Sequence, residues 1–219
     1  MKSKQFKLVL GLILSSLLTV GSSDLAQAYW AWGPTWDTPS ASRYLYVWSN
    51  SFTSAQQSAI NSANLSYDSS KTNAFDPSDP GSSTLNISGT TFTANATAYE
   101  NSKFRISRQT APWGFSSSYP ALTCFAVCFS STVGTDKSTI YLNDYQWNFG
   151  TTFTGSIVGS TVDLQTVVLH ELGHSHGLGH PSEIHSPMSM AEFAAVMHVA
   201  YTVKRSLTAD DIKGLQANY

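Results

Sequence analysis

Charge is scarce in this chain of 219 residues: Asp, Glu, Lys and Arg together make up 12% of it, about half the usual share of ~25%. The 12 basic and 14 acidic residues leave a formal net charge of -2, so no basic surface marks a nucleic acid or an anionic membrane as partner. Cysteine is nearly absent, with only Cys124 and Cys128, which excludes a disulfide scaffold. Four residues of extended strand span about 13 Å, well past the ~7 Å over which two Cα atoms can be bridged. A bond between the two cysteines therefore requires a turn, and the bridged and free forms both stay open. No nearby His or Cys completes a zinc site around the pair. Long apolar runs are lacking too. The stretch from Leu8 to Val20 is interrupted by Gly11, Ser15, Ser16 and Thr19 and falls short of the ~20 residues that a membrane span needs.

That stretch follows Lys2, Lys4 and Lys7 and precedes the small-residue site Ala26-Gln27-Ala28. The pattern reads as an export signal over residues 1–28, cleaved before Tyr29, and the alternative of a membrane anchor fails on length. Residues 29–219 fit a single domain, expected to be secreted (extracellular or periplasmic), free of the membrane after cleavage, and monomeric.

Trp30, Trp32, Trp36 and Trp48 lie among turn formers near the start of the mature chain. They read as packing residues, with a sugar-binding platform as the alternative. Tyr44 to Trp48 reads as a strand, and Thr53 to Leu65 as a helix capped by Thr53 or Ser54. After the turn cluster Asp76 to Gly81, the Ser/Thr-rich segment to Thr97 alternates loosely, as exposed hairpin strands or a mobile loop would. Lys103 to Ser107, Leu122 to Phe129 and Ser138 to Leu142 read as strands, so the N-terminal half is mainly sheet. A helix from about Asp163 to Gly177 follows.

All six histidines fall between positions 170 and 198, and no histidine precedes them. The run His170-Glu171-Leu172-Gly173-His174-Ser175-His176-Gly177-Leu178-Gly179-His180 places two of them four residues apart on an apolar helix. At about 100° per residue, His170 and His174 stand ~40° apart on one face, one turn above the other, so both imidazoles reach one ion. Gly177 is suited to a positive φ that ends the helix and turns the chain back, which lets His180 supply a third nitrogen. Three protein ligands leave the fourth position of a zinc ion for water, the open site of a catalyst. Glu171, beside the ligands, is the expected general base. One catalytic Zn2+ is expected, with Ca2+ in loops around Asp136, Asn143 and Asp144 as a further candidate. His176 lies about 200° around the helix from His174 and is expected to be exposed or capping, while His185 and His198 are expected at the surface or behind the ligands.

The run resembles the metzincin metallopeptidases, and in detail their matrixin branch in a bacterial-style secreted form. Ala195-Val196-Met197 looks like the Met-turn, although Met188 and Met190 also follow His180. Leu207 to Gln216 looks like the closing helix of matrixins, with Thr208 as N-cap, Asp211 reaching back from N3, and Ile212 and Leu215 on one face. The resemblance implies an α+β fold: a twisted, mostly parallel sheet with an antiparallel edge strand, an active-site helix, the Met-turn and a C-terminal helix. It further implies that Met197 floors the zinc and that a protein or peptide substrate pairs, extended, with an edge strand, expected at Thr139 to Leu142. The sequence departs from the family in having Val199 where tyrosine or proline would stand, so no tyrosine zinc ligand is expected. The function implied is hydrolysis of internal peptide bonds. The alternative is a secreted zinc-binding or adhesive module without catalysis, against which Glu171 argues, since mere binding does not need it.

Overall fold

The protein is described by a computed structural model covering residues 43–67, 87–102, 104–113, 116–125, 138–152, 159–181 and 188–218. The expected export signal, Trp30, Trp32, Trp36, the 76–81 turn cluster, Asp136 and His185 lie outside them.

Strand β1 (Arg43–Trp48) shows the period of two that the pleat imposes: Leu45 and Val47 are fully buried and Tyr44 is exposed. A single turn of 3-10 helix, Ser49–Ser51, leads into helix α1 (Ser54–Leu65). Thr53 caps α1 in a reciprocal box, its Oγ1 accepting from Gln56 N–H and Gln56 Oε1 accepting from Thr53 N–H, which satisfies two otherwise orphaned donors. Ala59, Ile60 and Ala63 are the buried apolar residues of α1.

Strand β2 (Ile87–Thr93) departs from the expected hairpin, because it pairs parallel to β1 over its length. A parallel neighbour cannot be reached by a tight turn, and the sequence of β2, rich in Ser and Thr, disguises its place beside β1. Asn95 caps the short helix α2 (Ala96–Asn101) through its Oδ1. Strands β3 (Phe104–Arg108), β4 (Ala121–Phe125) and β5 (Ser138–Leu142) complete a five-stranded sheet of order β2-β1-β3-β5-β4. All pairings are parallel except β4 with β5. The fold is α+β with a mostly parallel sheet and one antiparallel edge strand.

The edge is β4, not the Thr139 to Leu142 segment. Those residues lie in β5, between β3 and β4, and Ser138, Thr139, Ile140 and Leu142 are all buried. Three polar residues in Ser-Thr-Ile-Tyr-Leu give it the look of a half-exposed strand, but Ser138 satisfies its hydroxyl inside, 2.9 Å from Ser175 Oγ.

Short strands β6 (Asn148–Gly150) and β7 (Thr161–Asp163) pair parallel, and β7 runs directly into helix α3 (Leu164–Ser175). Asp163 caps α3, its Oδ1 accepting from Thr166 N–H at 2.8 Å, and its carboxylate also pairs with Arg205. Leu164, Val168, Leu169 and Leu172 are fully buried and share one core with Leu45, Ile60, Ile106 and Ile140. Burying each such side chain is worth about 1.5–3 kcal/mol. Short helix α4 (Met190–Ala194) and helix α5 (Ala209–Asn218) close the chain. No described helix is long and apolar enough to cross a membrane.

Candidate metal centre and its cleft

Helix α3 is apolar enough to be anchored in the core, which fixes the height and rotation of the few polar side chains it carries. Its end is a Schellman turn. Leu178 N–H donates to Gly173 O at 3.0 Å and Gly177 N–H to His174 O at 2.8 Å, with Gly177 at φ +83° and Leu178 fully buried. This 6→1 and 5→2 pairing, with the glycine at the left-handed position, satisfies carbonyls that a helix end leaves open. It also turns the chain so that His180 returns to α3.

The result is a convergence of three half-buried imidazoles. His180 Nε2 lies 3.1 Å from His170 Nε2 and 3.1 Å from His174 Nε2, and the three candidate ligand atoms all lie within 4.8 Å of one another. His170 Nδ1 donates to Val196 O and His174 Nδ1 to Leu178 O, each at 2.8 Å. A carbonyl only accepts, so the proton of each neutral ring sits on Nδ1 and each Nε2 presents a lone pair. His180 Nε2 has at most one proton to give, so it can donate along only one of the two 3.1 Å contacts, and hydrogen bonding alone does not account for the close approach of all three nitrogens. A cation with nitrogen preference accounts for that approach, and the donor set of three neutral imidazoles suits zinc. Burial, and then the neighbouring histidine, holds the pKa of His170 at about 3. The same causes, burial first, hold His174 at about 4. Both are therefore neutral ligands at ordinary pH.

Glu171 is buried beside them. Burial raises its pKa, opposed by the neighbouring His170 ring and by a hydrogen bond from Thr123. Thr123 Oγ1 lies 2.7 Å from Glu171 Oε2, while Oε1 receives no hydrogen bond among the described residues. All four groups line a cleft of about 660 Å³ whose walls include Leu122, Trp147, Val167, Val199 and Tyr201, a size and polarity that suit a bound side chain.

Met197 is fully buried and lies against α3: a β-carbon on Gly173 would overlap its sulfur. Met190, by contrast, is 84% exposed, and Met188 is only partly buried. Asp211 does more than cap α5. Its carboxylate accepts from Thr208 N–H at 2.8 Å and also from Val196 N–H at 3.0 Å and Met197 N–H at 3.3 Å. A continuous path therefore runs from α5 through residues 196–197 to His170 Nδ1.

His176 is at the C-cap of α3 but is not exposed. It is buried, stacked on Tyr67 at 4.6 Å and 5° between ring planes, with Nδ1 donating to Leu172 O. Because α3 is enclosed on both sides, the face away from the ligands points into the core and not to water. His198 is buried as well, accepts from Ala200 N–H through Nδ1, and lines the cleft. Asp144 is paired with Arg108, so its carboxylate is already engaged. Cys124 is disulfide-bonded, and the only other cysteine, Cys128, lies outside the described residues.

Residues 121–219 match the family model for Matrixin. The chain carries a matrixin-like metzincin catalytic domain. None of the curated proteins compared with the chain matches it. The matched span of the matrixin-like domain begins at β4 and runs through α3 and α5, so it takes in the histidines, Glu171 and Met197. The family is one of zinc metalloendopeptidases acting on proteins or peptides, and its catalytic zinc agrees with the histidine cluster. Thr123, Val196 as partner of His170, and Asp211 as clamp of residues 196–197 were not found from sequence. They are 48, 26 and 15 residues from the groups they hold, and no spacing rule links them.

Proposed function

We propose that this protein is a secreted zinc endopeptidase whose metal is held by the Nε2 atoms of His170, His174 and His180 and whose general base is Glu171. The observation that carries the reading is the convergence of three Nε2 atoms next to a buried carboxylate, one oxygen of which receives no hydrogen bond among the described residues. Zinc, when bound, supplies a Lewis acid that polarises the scissile carbonyl and acidifies a water. Glu171 Oε1 then takes a proton from the attacking water and returns it to the departing amine. Met197 floors the site, and the carbonyls of Val196 and Leu178 fix the ring orientations of His170 and His174.

The substrate pairs in extended form with the side of β4 that meets no strand among the described residues. A side chain next to the scissile bond enters the cleft beside α3, whose Leu122, Trp147, Val167 and Tyr201 favour an apolar group. Export by residues 1–28, with cleavage before Tyr29, belongs to the same reading, supported by the leader pattern of the sequence. A binding module without catalysis is not favoured, because a buried carboxylate with a raised pKa is costly to keep where only binding is needed.

The test is cleavage of casein by the mature form, with and without a zinc chelator, alongside metal analysis. We expect about one zinc per chain, chelator-sensitive cleavage, and a fall of ~10³-fold or more in kcat for Glu171→Ala with zinc retained. Undiminished turnover in that variant would remove Glu171 from the mechanism.

A further inference from the structure

We infer that Thr123 is the positioning residue of the base, holding the carboxylate of Glu171 from the same strand that receives the substrate; this rests on the assignment of Glu171 as base. Along β4 the pleat turns Ala121 and Thr123 to one face, and both are buried. Thr123 Oγ1 meets Glu171 twice, at 2.7 Å from Oε2 and 2.8 Å from the main-chain O. A hydroxyl has one proton to give. The bond to the carboxylate is charge-assisted and the stronger of the two, and it is the only hydrogen bond to the carboxylate among the described residues.

A glutamate has three side-chain torsions, and Glu171 stands at the wall of an open cleft. Without a second anchor its carboxylate samples rotamers that point away from the reacting centre, and catalysis loses the share of time spent in the productive one. Thr123 removes that freedom by fixing Oε2, which leaves Oε1 turned to the reaction. The arrangement also ties two parts of the site together. Thr123 pairs with Ile140 of β5, so the sheet edge that aligns the peptide backbone and the hydroxyl that aligns the base belong to one rigid strand, and a substrate seated on β4 meets Glu171 at a fixed height. A purely structural role, packing between sheet and helix, would need the threonine methyl and shape but not its hydroxyl.

The two roles separate in three variants of the mature, zinc-loaded protein. Thr123→Val keeps the shape and loses the hydroxyl, Thr123→Ser keeps the hydroxyl, and Thr123→Val combined with Glu171→Gln tests whether the hydroxyl acts through the carboxylate. We expect Thr123→Val to lower kcat by ~10- to 100-fold, the scale of one hydrogen bond to a charged group, with KM within about twofold and one zinc per chain. Thr123→Ser should restore kcat to within about threefold. In single-turnover measurements, adding Thr123→Val to Glu171→Gln should cost less than about twofold more, because neighbours that act as a unit are not additive. Should Thr123→Val fail to fold, Thr123→Ala is measured in its place with the same expected values. Wild-type kcat in Thr123→Val, a loss in Thr123→Ser as large as in Thr123→Val, or an undiminished loss in the Glu171→Gln background overturns the inference. If Glu171→Gln itself keeps full kcat, the base assignment fails and the positioning role falls with it; an inactive Glu171→Gln beside a fully active Thr123→Val sinks the positioning role alone.

Discussion

A β-carbon built on Gly173 would fall 2.1 Å from the Met197 sulfur and 3.0 Å from the Tyr67 hydroxyl. That hydroxyl cannot retreat freely, since it donates to Leu169 O at 2.7 Å from a fully buried ring stacked on His176. Gly173 is therefore a packing requirement of the site: only hydrogen on that face of α3 lets Met197 lie between the turns that carry His170 and His174. Gly173→Ala should destabilise the protein by about 1–3 kcal/mol, the cost of overpacking, and weaken zinc binding because relief requires the buried Met197 side chain to move. Denaturant midpoints and a competitive zinc titration would measure both, and an unchanged midpoint would refute the close packing. The convergence of the three candidate ligands was readable in the sequence because their chemistry, spacing and turn glycine fit within eleven residues. His176 caps the helix, one of its two expected places, but it is buried, because a helical wheel reports which residues face apart, not whether the far face meets water or core.

Protonation follows from the same burial. In the metal-free fold His170 titrates at about 3 and His174 at about 4, against ~6.5 in an unfolded chain. As pH falls below about 6.5 the unfolded chain gains protons at these positions and the fold does not, so their contribution to stability declines progressively toward pH 4 and below. Glu171 works in the opposite sense, its raised pKa letting the fold take up a proton earlier than the unfolded chain, and so offsets part of the loss at the acid end. Urea midpoints of chelator-treated protein should fall between pH 7 and 5. A midpoint flat over that range would contradict the desolvation of the two rings.

At the scale of elements, α5 controls the metal site from outside it. Asp211 accepts from both N–H groups of residues 196 and 197, and Val196 O in turn fixes the tautomer of His170. The closing helix could be read from the sequence through its cap, Thr208 with Asp211, because a capping box is local. Its grip on residues 196–197 could not, since a carboxylate with spare lone pairs gives no sign of which distant amides it will meet. Strand order was hidden for a related reason: alternation marks a strand but says nothing of its neighbours, and the polar residues of β5 hid its central place until Ser138 was seen to pair with Ser175. Asp211→Ala should cost about 2–4 kcal/mol, from several charge-assisted bonds lost at once, and lower zinc affinity ~10- to 100-fold, as expected when a support behind a ligand is removed. Thermal melts and zinc titration report the two effects. Lost stability with zinc affinity intact would mean that Asp211 serves α5 alone.

For the whole molecule, the site joins parts of the chain that only folding brings together. Helix α3 carries two of the candidate ligands, the turn after Gly177 brings in the third, and residues 196–197, clamped by α5, give the support. An unfolded chain offers no such convergence, so zinc binds the folded state preferentially and its binding energy becomes folding energy. With free zinc at ~1,000 times its dissociation constant the gain is about 4 kcal/mol. For a chain of this size each kcal/mol moves the melting temperature by about 2–4 °C, so removing zinc should lower it by ~8–16 °C. The sharper comparison is His180→Ala. That variant leaves α3 and its buried face intact but removes the ligand that depends on the Gly177 turn, so it should melt near the chelated wild type and barely respond to chelator. Calorimetry of both proteins with and without chelator decides it: a shift confined to the wild type ties the stabilisation to the three-histidine centre, and an equal shift in His180→Ala would mean that the stabilising metal sits elsewhere.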